Sequence, residues 1–155
     1  MVAAFILAAA LSSPQSQIKI DIPVDLAEAN VVFNIMDRGP LPGRQESLFL
    51  CATMTGVLAS KNVPRKVIAV FHSAAAALAC NDQAFNRLTG TRVGNPYTKR
   101  IAELQAAGVQ TEICVKSMEF QNIKNSELLP GIKVNGGALL RIVELTQKGY
   151  TQLAF

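Results

Sequence analysis

The sequence predicts an α/β fold in which a parallel sheet of five strands lies between helices. Three observations carry this. Short β-branched runs alternate with helical patterns from Asn30 onward, in the order β-α-β-α-β-α-β-α-β. The run 66–72 is nearly continuous in apolar residues, as a strand covered on both faces requires. The chain has 155 residues, 50% apolar, 6% aromatic and 17% charged, which fits one domain able to bury a core without disulfides or metal.

Residues 31–36 read as the first strand, broken by the loop 38–43 with its Gly39, Pro40, Pro42 and Gly43. A helix follows over 44–60, because Leu48, Cys51, Ala52, Thr55, Leu58 and Ala59 recur on one face. Residues 66–72 form the second strand. The alanine-rich stretch 74–79 suits a helix, and Asn81-Asp82 offers either a break or a new N-cap. Asn95-Pro96 supplies an N-cap and a proline at the first helical position of a helix that runs to Ala107 and stops at Gly108. The third strand is 111–115, and one or two helical turns follow over 117–123. Leu129-Pro130-Gly131 turns the chain into a short strand at 132–134. A helix over 137–148 turns Ala138, Ile142 and Leu145 inward and ends at Gly149, before a final strand at 150–155. Right-handed crossovers are expected throughout.

Residues 1–11 are apolar, alanine-rich and uncharged, about half the length that spans a bilayer as a helix, so no stable membrane span is expected. They suit the apolar region of a signal peptide over 1–13, with small residues near 10–13 for cleavage, although no Lys or Arg precedes them. That reading places the protein in the periplasm or outside the cell. A buried N-terminal element, and with it a cytoplasmic location, is the alternative. Residues 14–29 then form a spacer or an edge arm, since Pro23 confines any strand there to an edge, and the folded domain covers 30–155.

The formal charge of +4 comes from scattered residues, with Lys99-Arg100 the longest basic cluster, so nucleic-acid binding is not expected. Neither a Gly-x-Gly-x-x-Gly nor a Gly-x4-Gly-Lys-Ser/Thr phosphate cradle is present. One histidine and three widely spaced cysteines give no metal-ligand spacing, and no cofactor is expected. Chemistry is then sought at the C-terminal ends of the strands. Asp37 and Arg38 follow the first, His72 the second, and Cys114, Lys116 and Ser117 the third. A thiolate is the nucleophilic form of cysteine, and a following helix turn with a nearby lysine lowers a thiol's pKa, which singles out Cys114 with His72 as base or modulator. The competing reading makes Cys114 a small core residue of an apolar strand. Cys51 falls on an inward helix face, and Cys80 is either an exposed second thiol or a helix-end packing residue. Asp37-Arg38 reads either as part of the site or as a surface ion pair.

The segment from Gly108 to Ile123, with its strand, cysteine and short helix, resembles the DsrE/DsrF-like family of small sulfur-relay proteins. Phe71-His72 is similar to that family's strand ending in histidine, Asn95-Pro96 to its helix start, Leu128 to Val134 to its "LLPGVKV" segment, and Gly136 to Tyr150 to its last helix and strand. Two positions depart from the pattern: Val115 stands where glycine often follows the cysteine, and Asn122 replaces a glycine before Ile123. Asn tolerates a left-handed conformation better than most residues. The resemblance covers about 30–154 and implies a three-layer α/β/α sandwich that assembles as a homotrimer or hexamer. It also implies that Cys114 carries sulfane sulfur as a persulfide between donor and acceptor proteins; Asp37, Arg38, Lys116 and Ser117, placed at the same strand ends, are the expected binding residues. The protein would then be a sulfur carrier or sulfurtransferase rather than a turnover enzyme. A non-catalytic oligomeric module that keeps the fold is the alternative.

Overall fold

The computed structural model describes residues 19–39 and 45–155, so the signal-peptide reading of 1–13 lies outside the described residues. Residues 19–28 are exposed and carry no strand, with bends at 21, 22 and 27 before the sheet begins at Ala29. The strands are β1 (Ala29–Ile35), β2 (Arg65–Phe71), β3 (Gln110–Cys114), β4 (Lys133–Asn135) and β5 (Thr151–Leu153). The helices are α1 (Glu46–Ser60), α2 (Asp82–Thr89), α3 (Thr98–Ala106), α4 (Val115–Gln121) and α5 (Ala138–Gln147), with 3-10 turns at Ser73–Ala79 and Asn125–Glu127. All strand pairs are parallel, in the order β4-β3-β2-β1-β5, with Val31 opposite Val67 and Phe71 opposite Ile113. Helices lie on both sides of this five-stranded sheet, giving a three-layer α/β/α sandwich.

Handedness distributes the helices. The steps β1 to β2, β2 to β3 and β3 to β4 all move across the sheet in one direction, so right-handed crossovers place α1, α2 with α3, and α4 on one face. The connection from β4 to β5 runs back the other way and places α5 on the opposite face. Side chains alternate along each strand and sort accordingly. Val31, Phe33, Ile35, Val67, Ala69, Phe71 and Ile113 join a large core with α1 to α4, while Val32, Ile68, Val70 and Cys114 cluster with Ala138, Ile142 and Leu145 of α5 and with half-buried Tyr150. Among the described residues the first cluster holds 27 buried apolar residues and the second seven, so most of the apolar burial that drives folding lies on one side.

Two local details differ from expectation. Pro96 and Tyr97 form a turn and α3 starts at Thr98, yet Asn95 still begins the reversal: its Oδ1 accepts from the Tyr97 amide at 2.9 Å, and its Nδ2 donates to the carbonyls of Leu78 and Cys80. Val115, read as the end of β3, is the first residue of α4, because extended Cys114 (φ −74°, ψ 123°) itself occupies the N-cap position with no linker between. At the other end of α4, Asn122 is left-handed (φ 51°, ψ 47°), the conformation its side chain tolerates in place of glycine.

Candidate functional site

Adjacent strands β3 and β4 lead into helices on opposite faces of the sheet. Their C-terminal ends therefore bring the starts of α4 and α5 together at the edge of the sheet. Cys114 ends β3 there and precedes α4, while Gly136-Gly137-Ala138 carries the chain from β4 into α5. The Ala138 amide donates to the Cys114 sulfur at 3.2 Å. Gly137 makes this possible with φ 142°, a conformation L side chains rarely adopt. An added Cβ would meet nothing within 4 Å, so glycine serves the backbone angle here and not the space.

Burial by itself pushes the Cys114 thiol up, but the Ala138 amide, the Ser117 amide and hydroxyl, and the Lys116 amide all favour the thiolate and bring its pKa below the ordinary value. The other two cysteines show what burial alone does. Cys51 on α1 is fully buried and pushed up to about 12, in spite of a compensating hydrogen bond with Thr55. Cys80 is also fully buried; burial and the Glu127 carboxylate push it up to about 12 against the opposing Arg87 charge, so it is a packing residue and not an exposed thiol. Cys114 retains 5% exposure.

The remaining sequence candidates divide. Ser117 is buried, and its hydroxyl oxygen accepts from the Ser73 amide at 2.9 Å. Ser73 has φ 52°, a left-handed strain for a serine, and its carbonyl accepts from Gln121 Nε2 at 2.7 Å. Its hydroxyl lies 3.3 Å from His72 Nδ1. His72 Nε2 lies 2.6 Å from Asn34 Oδ1, and since that oxygen only accepts, Nε2 carries the proton. Burial lowers the His72 pKa, so the ring is neutral and takes a hydrogen bond from Ser73 at Nδ1. The contacts of His72 thus reach toward Cys114 through Ser73 and Ser117, which suits an orienting group better than a proton acceptor.

Lys116 is exposed and pairs with Glu119 at 2.8 Å; its amide hydrogen-bonds the sulfur, and its ammonium acts on the thiolate through charge alone. Asp37 Oδ1 accepts from the Gly39 amide, Arg38 Nη1 donates to the Leu88 carbonyl, and the Arg38 carbonyl accepts from the Tyr97 hydroxyl. These bonds tie the β1 loop to itself and to the α2–α3 side rather than to Cys114. Among the described residues no group of three or more His, Cys, Asp or Glu side chains could hold a metal ion, and no helix is long and apolar enough to cross a membrane.

Sequence reasoning missed the Ala138 amide, Asn34 and Glu112. Glu112 lies at the centre of the five-residue strand β3 and is 2% exposed, and a charge in mid-strand is the signal that could have found it.

The profile of the DsrE/DsrF-like family matches residues 6–155. The chain belongs to this family. Among solved structures it is similar to a protein of unknown function, MTH1491, from Methanobacterium thermoautotrophicum, with 18% identity, a TM-score of 0.65, and coverage of 83% of this chain and 100% of that one. It is also similar to the ychN protein from E. coli, with 18% identity, a TM-score of 0.52, and coverage of 83% of this chain and 99% of that one. Both likenesses are of fold. No curated protein matches the chain.

Proposed function

We propose that this member of the DsrE/DsrF-like family is a sulfur carrier that holds sulfane sulfur as a persulfide on Cys114. The observation that carries the reading is the Ala138 amide at 3.2 Å from the sulfur, joined by the donors of Lys116 and Ser117, around the one cysteine whose thiolate is favoured. In the loading step the Cys114 thiolate attacks the sulfane sulfur of a donor persulfide or thiosulfate. A new S–S bond forms, the donor's S–S bond breaks, and its electron pair leaves with the donor thiolate or sulfite. In the unloading step an acceptor thiolate attacks the outer sulfur, and the Cys114 thiolate departs as leaving group. The sequence of two displacements is redox-neutral and needs no cofactor. The backbone donors lower the energy of Cys114 as attacking thiolate and again as leaving group.

His72 modulates this site through Ser73 and Ser117. We further propose assembly into the homotrimer or hexamer implied by the family resemblance, with the exposed Leu139, Leu140 and Val143 of α5 covered by a second copy; light scattering of the purified protein tests it. Export through a signal peptide over 1–13, with its apolar run 1–11, is also proposed, and a mature protein that begins after it when isolated from the periplasm would support it.

The deciding experiment is incubation with thiosulfate or polysulfide, followed by intact-mass measurement. The wild type should gain about 32 Da, one sulfur, lost again on treatment with excess small thiol, and Cys114→Ser should gain nothing. No adduct on the wild type, or an adduct that persists in Cys114→Ser and disappears in Cys80→Ser, would overturn the reading.

A further inference from the structure

We propose that Glu112, Asn135 and Arg141 form a clamp that presses the start of α5 against Cys114, which makes them positioning residues for the sulfur chemistry. The inference rests on the reading of Cys114 as the carrier. Glu112 and Cys114 lie two residues apart on β3, so both face α5. A carboxylate buried to 2% exposure is costly unless it is paired and hydrogen-bonded, and Glu112 is both. Arg141 donates to it from Nη2 at 2.8 Å and from Nε at 3.0 Å, Gln110 Nε2 donates at 2.6 Å, and Asn135 Nδ2 donates at 3.1 Å. Burial would raise the carboxyl's pKa, but these donors hold it below the ordinary value.

The same carboxylate is thereby fastened to the first turn of α5 at two points. One is Arg141, three residues past Ala138. The other is Asn135, whose Oδ1 accepts from the Gly137 amide at 3.1 Å, the peptide immediately before the Ala138 amide that meets the sulfur. Arg141 is also held by Glu144 at 2.9 Å, which in turn pairs with Lys148. The small face of the sheet gives α5 only three buried apolar anchors, Ala138, Ile142 and Leu145. Apolar contact is non-directional. A bidentate ion pair and an amide bridge fix direction, and direction is what the Ala138 amide needs in order to meet Sγ. The other charged or titratable groups near Cys114 are Lys116 on α4, which is exposed and paired with Glu119, and neutral His72 at the end of β2.

The test is the pH dependence of Cys114 alkylation by iodoacetamide in the folded full-length protein, read by peptide mass. Asn135→Ala changes no charge and leaves the ion pair in place. Arg141→Met removes one half of the pair, and Arg141→Lys keeps its charge without the fork. The midpoint should move up in Asn135→Ala and Arg141→Met, with alkylation at pH 7 about tenfold slower, the order expected for losing one hydrogen bond to a charged group. Arg141→Lys should recover part of the rate, and Lys148→Gln, at the far end of α5, should match the wild type. Unchanged midpoints in Asn135→Ala and Arg141→Met, with only a lower unfolding midpoint, would overturn the clamp; where Arg141→Met does not fold, Asn135→Ala decides. A wild type that gains no persulfide overturns the carrier reading instead, and the alkylation midpoints still judge the clamp.

Discussion

The two faces of the sheet hold the same kind of residue in opposite states. On the large face Cys51 and Cys80 are fully buried and pushed up to about 12, chiefly by burial and for Cys80 also by the Glu127 carboxylate; on the small face Cys114 is also largely buried, yet its thiolate is favoured. The difference is the supply of backbone donors. The large face offers packed side chains from α1 to α4, whereas on the small face Cys114 itself caps α4 and the Ala138 amide arrives from the start of α5. Stability and reactivity are therefore assigned to different sides of one sheet, and changes on one side should leave the other side's property in place.

The largest effect on stability should come from the large face. Leu104→Ala, at a position 2% exposed on α3, should lose about 2–5 kcal/mol of unfolding free energy in a denaturant titration. Persulfide formation by its folded fraction should match the wild type. A loss of adduct in protein that is still folded would break the division between the faces.

Gly137→Ala sharpens it from the other side. At φ 142° an alanine is strained although its Cβ has space, so relief of that strain turns the Ala138 amide away from Sγ. Alkylation of Cys114 at pH 7 should slow about tenfold, with about 1–3 kcal/mol of stability lost. An unchanged alkylation rate would show that the Ala138 donor does not matter.

The smallest effect concerns His72, the chain's one histidine, whose pKa burial lowers from 6.5. The unfolded chain then takes up a proton at a higher pH than the folded one. The stability contributed by neutral His72 is present above about pH 6.5 and lost as pH falls through its folded value. Denaturant midpoints of the wild type should fall across that window, and His72→Asn should flatten the slope. Equal slopes in the two proteins would contradict the buried, neutral ring.

The sequence made the large face readable because its signals are local. The apolar run of β2, the inward positions of α1 and the Asn95 turn each follow from neighbouring residues, and so do Ala138, Ile142 and Leu145 on α5. The site was legible only in part. Cys114 and Ser117 could be placed at the end of a strand, but the donor on Cys114 comes from 24 residues away, and the Arg141 partner of Glu112 from 29. Spacing along the chain carries no trace of such pairs; they follow from β4 pairing with β3 and α5 crossing behind. Val115 misled for a local reason, since a β-branched residue after a strand reads as more strand, and the direct passage from strand to helix at Cys114 overrides that propensity.

Activation of one cysteine of three by the Ala138, Ser117 and Lys116 amides and the Ser117 hydroxyl is tested directly by a single pH series of iodoacetamide alkylation on the native wild type, with all three cysteines followed by peptide mass. Cys114 should react alone at neutral pH, with a midpoint below that of the same peptide in the unfolded chain, and Cys51 and Cys80 should react only on unfolding. A Cys114 midpoint at or above its unfolded value, or Cys80 reacting first in the native protein, would contradict it.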